Sequence, residues 1–597
     1  MFKINRENSP TCRIAISLSA GKEERFAAEE LAEAIGQMFG FRPSIIGEEK
    51  DLKNVIFVGE TARMKERYGS VYQSLTGDEN AVACDGDNVY CFGRSGIFTR
   101  AGNIYAVYTF LEKFFQVRYL AADETVYPEK RDIGFEKFEP QIDRPDFFIR
   151  WYLAAETRVD PVFAVRRRIK DAYVQNLPGG GVYPAVASGN FHNFYEYVPP
   201  SEYKEKHPDW FDDKSGQLCF SKEEIADVIT KKLIAEIEEN PDSVYFVVGQ
   251  NDTPEPCGCE DCKRQYEKYL PSGALIRLIN IIARKVRRWQ EEHCPQREIR
   301  IVTFAYYFGQ RPPVKETAEG FVPLDLSVVP EKNVYILFTT IDYCYYHKLE
   351  DSSCAWNKDF TFNFRGWRSL VGDRMLVWYY SANYAHYLYP FWDYGVLSAN
   401  YRLFRESGIR FVIDHGPCEA VNMPFSQLQT YVHSALLWRA DADTNALLKE
   451  FISGYYKDCA EEVGRFFRLY TERLAKQDER KGYHLRLYHL PEEMFSRDLF
   501  DAEFLAEAEK ILKRAYETAL AAEGGNEAGK LCIRIGQLEA SVKYLRYMNE
   551  VPTREEAEDF VRQCRRCGIT KYKEYWANDD IMDELKEQML NGKVLAY

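Results

Sequence analysis

The sequence predicts a mixed α/β chain in three parts: a small N-terminal α/β domain over residues 1–135, a central (β/α)8 TIM-like barrel over 140–430, and a C-terminal helical domain over 431–597. Three observations carry this. The stretch SVYFVVGQNDTPEPCGCEDCKR, from Ser243, holds an unbroken apolar run at Val244–Val248, the pattern of a strand buried on both faces. It stops at Gly249 and opens into Gln250, Asn251, Asp252, two prolines and three cysteines. From Arg144 onward, strands alternate with helical stretches over about 270 residues, the size and rhythm of such a barrel. After His415 the periodicity turns helical and stays so.

In the first domain Ile14–Leu18 reads as a strand. Glu23–Phe39 follows as a helix, with Phe26, Leu31, Ile35 and Met38 at helical spacing and Gly40 as its stop. Asn54–Gly59 is a second strand, and AVACDGDNVYCFG is a hairpin turning on Asp85-Gly86. Ala101–Phe115 is an amphipathic helix, and nothing here resembles a nucleotide loop. The barrel strands are expected at Phe147–Leu153, Ala172–Asn176, Tyr183–Ala187, Val244–Val248, Ile299–Ala305, Val334–Thr340, Met375–Tyr380 and Arg410–Ile413. The tail predicts helices at Gln427–Trp438, Thr444–Tyr456, Ala460–Lys476, Ala502–Ala521, Glu527–Tyr547 and Thr553–Arg566, packed as a bundle.

Composition narrows the partners. A net charge of -14 argues against nucleic acid, whose phosphates need clustered Lys and Arg. No window approaches the roughly 20 apolar residues that span a bilayer. The opening MFKINRENSPTCRIAISLSAGKEERF lacks the apolar core of a secretory leader, and 15 cysteines, an odd and scattered count, do not form a disulfide framework. The expectation is a cytoplasmic protein. Aromatic content of 15%, with 41 Tyr and 38 Phe, supplies faces that stack on sugars as readily as they fill cores.

Residues at the C-terminal ends of barrel strands face the site. That selects Arg150 or Trp151, His192, Asn251 and Asp252, Tyr306, Asp342, Tyr380 and Asn383, and Asp414 with His415. Two carboxylates across such a mouth suit glycoside hydrolysis, which needs an acid and a base or nucleophile. Asp252 and Asp414 are the expected pair, opening into one cavity, with Asp342 in reserve. Each has a plainer reading: Asn-Asp before Thr-Pro is also turn chemistry, and Asp414 also suits orienting an Arg or Tyr. His192 sits among Phe191, Phe194, Tyr195 and Tyr197, where an imidazole can bind a sugar hydroxyl or simply pack. Tyr306, Trp378, Tyr380 and Tyr384 are sugar platforms or core residues. No cofactor is needed for catalysis, but Cys257-x-Cys259-x-x-Cys262 has thiolate spacing for a structural zinc, with Cys219 nominated as fourth ligand. The run Arg166-Arg167-Arg168 reads as a solvated helix face with one arginine turned inward.

The segments LAEAIGQMFGF, NVIFVGET and RAGNIYAVYTFLEKFFQVRYLAADETVYP resemble the N-terminal α/β domain of family 20 hexosaminidases and family 67 α-glucuronidases. Further on, FHNF, KHPDWF, QLCFSKEE, GQND with CGCEDC, FGQRPP, WYYSANY, SGIRFVIDHG and LLWRADADTNALLKEFISGYY resemble the bacterial proteins grouped as domain of unknown function 4838. The resemblance implies a sugar-enzyme barrel with an acid after strand four, where Asp252 stands. Related sequences carry Glu where this chain has Asp414. The expected function is a glycoside hydrolase that removes a terminal uronic acid or amino sugar from a short oligosaccharide or glycoside. The alternatives are a non-catalytic sugar binder, and a uronic-acid lyase or epimerase using His192 and a tyrosine.

Overall fold

The computed structural model describes the chain apart from residues 6–11, 50, 95–100, 131, 171–185, 188–189, 489–498, 578 and 593–597. The chain divides into two compact units. Met1–Gly181, Ser381–Tyr401 and His415–Tyr597 form the first, and Val182–Tyr380 with Arg402–Asp414 form the second.

The N-terminal part of the first unit includes β1 (Arg13–Ile16), α1 (Lys22–Phe39), β2 (Ile45–Gly47), β3 (Val55–Val58), β4 (Asn80–Cys84), β5 (Val89–Gly93), α2 (Gly102–Phe114) and β6 (Phe138–Asp143). These strands make one sheet in the order β6-β4-β5-β3-β1-β2. The β4–β5 hairpin turns on Asp85-Gly86 as expected, with Gly86 at φ 98°, a value that penalises any side chain. Leu31, Ile35 and Met38 of α1 recur at helical spacing and bury against Tyr105, Tyr108 and Leu111 of α2. β7 (Ile149–Leu153) belongs to this unit, as do the helices Ser426–Trp438, Thr444–Tyr456, Ala460–Lys481, Ala502–Ala522, Lys530–Tyr547 and Arg554–Arg566. All six expected tail helices are present.

Two expectations are corrected in this unit. Arg150 is not at a substrate site: it is wholly buried, its guanidinium donates to Asp78 at 2.7 Å, and it also donates to the carbonyls of Phe147, Phe148 and Arg168. A cation in low dielectric has to spend its donors internally. The arginine run is likewise turned inward rather than solvated. Arg166 pairs with Glu30 at 2.7 Å, Arg167 donates to Ser434, and Arg168 pairs with Glu112 at 2.7 Å.

The second unit contains α3 (Ile225–Glu239), β8 (Tyr245–Val247), α4 (Glu260–His293), β9 (Arg300–Ala305), β10 (Val334–Thr339), α5 (Phe360–Val371), β11 (Met375–Tyr380) and β12 (Phe411–His415, through Asp414). The strands lie in that order in a curled sheet, with β8 through β11 paired in parallel. They are buried almost without alternation, as parallel strands covered on both faces are. Parallel register brings the residues after Val247, Ala305, Thr339 and Tyr380 to one edge of the sheet. Six of the eight expected strands stand where the pattern put them. Ala172–Asn176 lies outside the described residues, as does most of Tyr183–Ala187, of which Val186 makes a single parallel bridge to Tyr245.

Candidate active site

The edge beyond β8 is assembled around Gly249. A Cβ there would meet the Phe191 carbonyl at 2.0 Å, so only glycine admits the 190–194 segment against the strand end. Asn193 then locks the approach: its Oδ1 accepts from Gly249 N–H at 2.9 Å and its Nδ2 donates to the Val247 carbonyl at 2.8 Å. His192 is thereby held with Nδ1 2.8 Å from the Gln250 carbonyl. A carbonyl can only accept, so Nδ1 carries the proton and Nε2 is the nitrogen that faces Asp252 Oδ1, 3.9 Å away.

Asp252 is an exposed carboxylate of this edge, with 62% of its side chain accessible against 27% for His192. Tyr306, which follows β9, donates its hydroxyl to Asp252 Oδ1 at 2.6 Å. Burial holds the Tyr306 phenol far above the ordinary range, reinforced by Tyr380 and the Asp252 charge, so it keeps its proton and acts as a donor. Both contacts fall on Oδ1 of Asp252. Tyr380, at the end of β11, is also held well above the ordinary range, first by burial, with Tyr345 and the charges of Asp252 and Asp342 pushing the same way. Two carboxylates therefore act on one phenol. Asp342 follows β10 and is exposed.

The floor is aromatic. The His192 ring stacks on Phe304 at 5.0 Å and tilts over Tyr306 at 5.5 Å. Half-buried Trp378 stacks on Tyr380 at 6.0 Å and meets Phe191 edge-on at 5.0 Å. Tyr307 sits at φ 46°, costly for a bulky side chain, which folds its ring to 4.2 Å from Tyr306. The sequence reading missed Tyr307, and a Tyr-Tyr pair at a strand end carries no signal for a left-handed backbone.

The other expected residues take different places. Asn251 serves the loop rather than a ligand: its Nδ2 donates to the Gly216 carbonyl at 2.8 Å and its N–H to Gln217 Oε1 at 3.2 Å, while Gln217 Nε2 donates back to the Asn251 carbonyl at 2.7 Å. Asp414 is fully buried in β12, so its carboxylate has no surface for a sugar to touch, and the expected pairing with Asp252 in one open cavity is corrected. Tyr384 and His415 belong to the first unit, where the Tyr384 hydroxyl donates to the His415 carbonyl at 2.8 Å.

Beside the site, Cys219, Cys257, Cys259 and Cys262 converge, their sulfurs all within 4.8 Å of one another. Cys219 lies 3.5 Å from Cys259 and 3.6 Å from Cys262. Hydrogen bonds from Cys219 and Cys257 hold the Cys262 thiol far below the ordinary range. A second group went unread in the sequence: Cys344, His347 and Cys354 also bring ligand atoms within 4.8 Å of one another, and their C-x2-H-x6-C spacing was the available signal.

A protein family described as a domain of unknown function, DUF4838, matches residues 119–468. No curated protein matches the chain in sequence. Among solved structures, a family GH115 4-O-methyl-α-glucuronidase with specificity for decorated arabinogalactans aligns at 10% identity with a TM-score of 0.56, covering 100% of this chain and 78% of that one. CpGH89 of Clostridium perfringens, bound to its substrate GlcNAc-α-1,4-galactose, aligns at 11% identity and a TM-score of 0.41, over 95% of this chain and 69% of its own. A Streptomyces plicatus β-hexosaminidase bound to GlcNAc aligns at 10% identity and 0.36, over 76% and 92%. The first of these shares its overall fold with this chain. No described helix is long and apolar enough to cross a membrane.

Proposed function

The chain belongs to the DUF4838 family, and from that premise we propose that it is a glycoside hydrolase that removes a terminal sugar, a uronic acid or an amino sugar, from a short oligosaccharide or glycoside. The observation that carries this is the exposed Asp252 carboxylate at the strand edge, gripped on Oδ1 by Tyr306 at 2.6 Å and faced by His192 Nε2 at 3.9 Å. With Oδ1 taken, Oδ2 is the oxygen that delivers a proton to the glycosidic oxygen as the C–O bond breaks. Asp342 is the second carboxylate, either activating the water that adds to the anomeric carbon or attacking that carbon first. Trp378 is the platform for the sugar face. The fold shared with an α-glucuronidase supports the class of reaction, and a uronide is the first substrate to try.

A second reading has an observation of its own. The burial of Asp414 removes one of the two acids expected at the edge, which suits a barrel that binds sugar without cleaving it. The lyase or epimerase reading is the weaker, because a tyrosine held far above the ordinary range, as Tyr306 is, donates a proton more readily than it abstracts one.

The test is a panel of aryl glycosides, uronides and N-acetylhexosaminides included, offered to the wild type and to Asp252→Asn. The hydrolase reading expects turnover of at least one member and a loss of about 10²–10⁴-fold in kcat/KM in the variant, with unchanged folding. Ligand-dependent melting shifts without any turnover would establish the binder instead.

A further inference from the structure

We propose that Cys219, Cys257, Cys259 and Cys262 hold one structural zinc ion that braces the loop carrying Asn251 and Asp252. The four sulfurs lie within 4.8 Å of one another, with 3.5 Å and 3.6 Å for the pairs of Cys219 with Cys259 and Cys262. Four thiolates around zinc at ~2.3 Å in a tetrahedron stand about 3.8 Å apart, so the spacing fits an ion at their centre. It is far too long for a disulfide, which needs about 2 Å, and all four cysteines are free. Four sulfurs leave no coordination position for water, so the ion is structural and not a Lewis acid for substrate.

The surroundings are those of a metal-thiolate centre. Cys259 caps α4, its sulfur accepting the Cys262 N–H at 3.4 Å, and Ser221 Oγ lies 3.0 Å from Cys219 Sγ. Such hydrogen bonds and the positive end of a helix offset the negative charge of a four-thiolate zinc site. Asp212 accepts from the Gly258 N–H at 2.6 Å, and Tyr266 donates to the Cys257 carbonyl at 2.9 Å, fixing the knuckle between the ligands.

The chain connections give the ion a task. Gln217, two residues before Cys219, holds Asn251 through both its main-chain groups and donates to Thr253 Oγ1 at 2.7 Å. Cys257 stands five residues beyond Asp252. The Asp252 loop is therefore tied to the 216–219 segment at its start by Gln217 and at its end by the ion. The zinc site stands without the hydrolase reading; its role in aiming Asp252 rests on it.

The test begins with elemental analysis of the full chain, purified without chelator, against Cys219→Ser and against Cys257→Ser with Cys262→Ser. Because Cys344, His347 and Cys354 form a separate group, the quantity read is the difference, expected to be about one zinc per chain. Should the double variant misfold, the wild type stripped of metal and refilled with cobalt(II) keeps the test alive. Sulfur-to-cobalt charge-transfer absorption with tetrahedral visible bands, lost in Cys219→Ser, is the expected result. Equal zinc in variant and wild type, iron in place of zinc, or cobalt bands of octahedral form would overturn the proposal. For the loop, metal removal is expected to lower kcat on whichever glycoside the panel identifies and to lower Tm by about 5 °C or more. A chain with full zinc and no turnover would sink the hydrolase reading and leave the metal site standing.

Discussion

The two units use the same side chains in opposite ways. In the first, Asp78 and Arg150 pair at 2.7 Å with side-chain exposures of 0% and 1%, and Lys170 stands 3.6 Å from the same carboxylate. Burial pulls Lys170 down to about 8 despite that neighbour. His386, in the same unit, sits 2.6 Å from the Tyr544 hydroxyl and is also buried. In the second unit an aspartate, a histidine and a tyrosine meet at one edge, where Asp252 is open to solvent and its one strong partner is a neutral phenol. A carboxylate enclosed beside two cations in low dielectric is committed to holding the fold. One held from a single side by a neutral donor keeps an oxygen free for chemistry. Exposure, and not residue type, separates structure from function here.

The sharpest way to break that distinction is to remove one charge from the buried pair. Asp78→Asn leaves Arg150 and Lys170 without their counter-charge, and a broken buried pair costs about 3–5 kcal/mol. Urea unfolding followed by a probe in the first unit should show that loss, while folded protein retains whatever glycoside turnover the wild type has. A cost below about 1 kcal/mol would mean the pair is not committed to the fold as its burial indicates.

His386 sharpens the comparison through pH. Burial lowers its pKa from 6.5 to about 4. The unfolded chain takes up the proton near 6.5 and the native chain only near 4, so its contribution is intact above 6.5 and is lost as pH falls through this window. The slope is about 1.4 kcal/mol per pH unit, for roughly 3 kcal/mol in all. Carboxylates also titrate there, so the quantity to measure is the difference between wild type and His386→Gln, whose side chain still reaches Tyr544. Parallel curves for the two proteins would remove His386 from the set of buried, committed groups.

Much of this was legible in the chain because it is local. Helical periodicity located the tail helices, and apolar runs located the strands of the parallel sheet. The strand end at Gly249 brought out Asp252, and thiolate spacing brought out three cysteines with Cys219 beside them. What escaped depends on distant partners. Arg150 occupies a plausible position at the end of a strand, and nothing nearby announces that Asp78, 72 residues earlier, will take up its charge. Asp414 lies in a strand covered on both faces, where no alternation tells an inward residue from one at the rim. Asn251 looked like a ligand because its commitment to Gly216 and Gln217 is made by a hairpin about 35 residues away.

The finest discrimination comes from Tyr306. Tyr306→Phe deletes only the hydroxyl that reaches Asp252 at 2.6 Å, and the ring contacts with Phe304 at 5.8 Å and Tyr307 at 4.2 Å survive, so Tm should move by about 1 °C or less. With Asp252 in its acid form both partners are neutral, and such a hydrogen bond is worth about 0.5–1.5 kcal/mol. The expected result is a fall of roughly 2- to 12-fold in kcat with KM little changed, because the hydroxyl orients a proton donor and does not grip the sugar. A rise in KM at constant kcat would instead make Tyr306 a binding residue. If neither constant moved, the bond to Asp252 would be incidental, and the openness of that carboxylate would mark an ordinary surface loop.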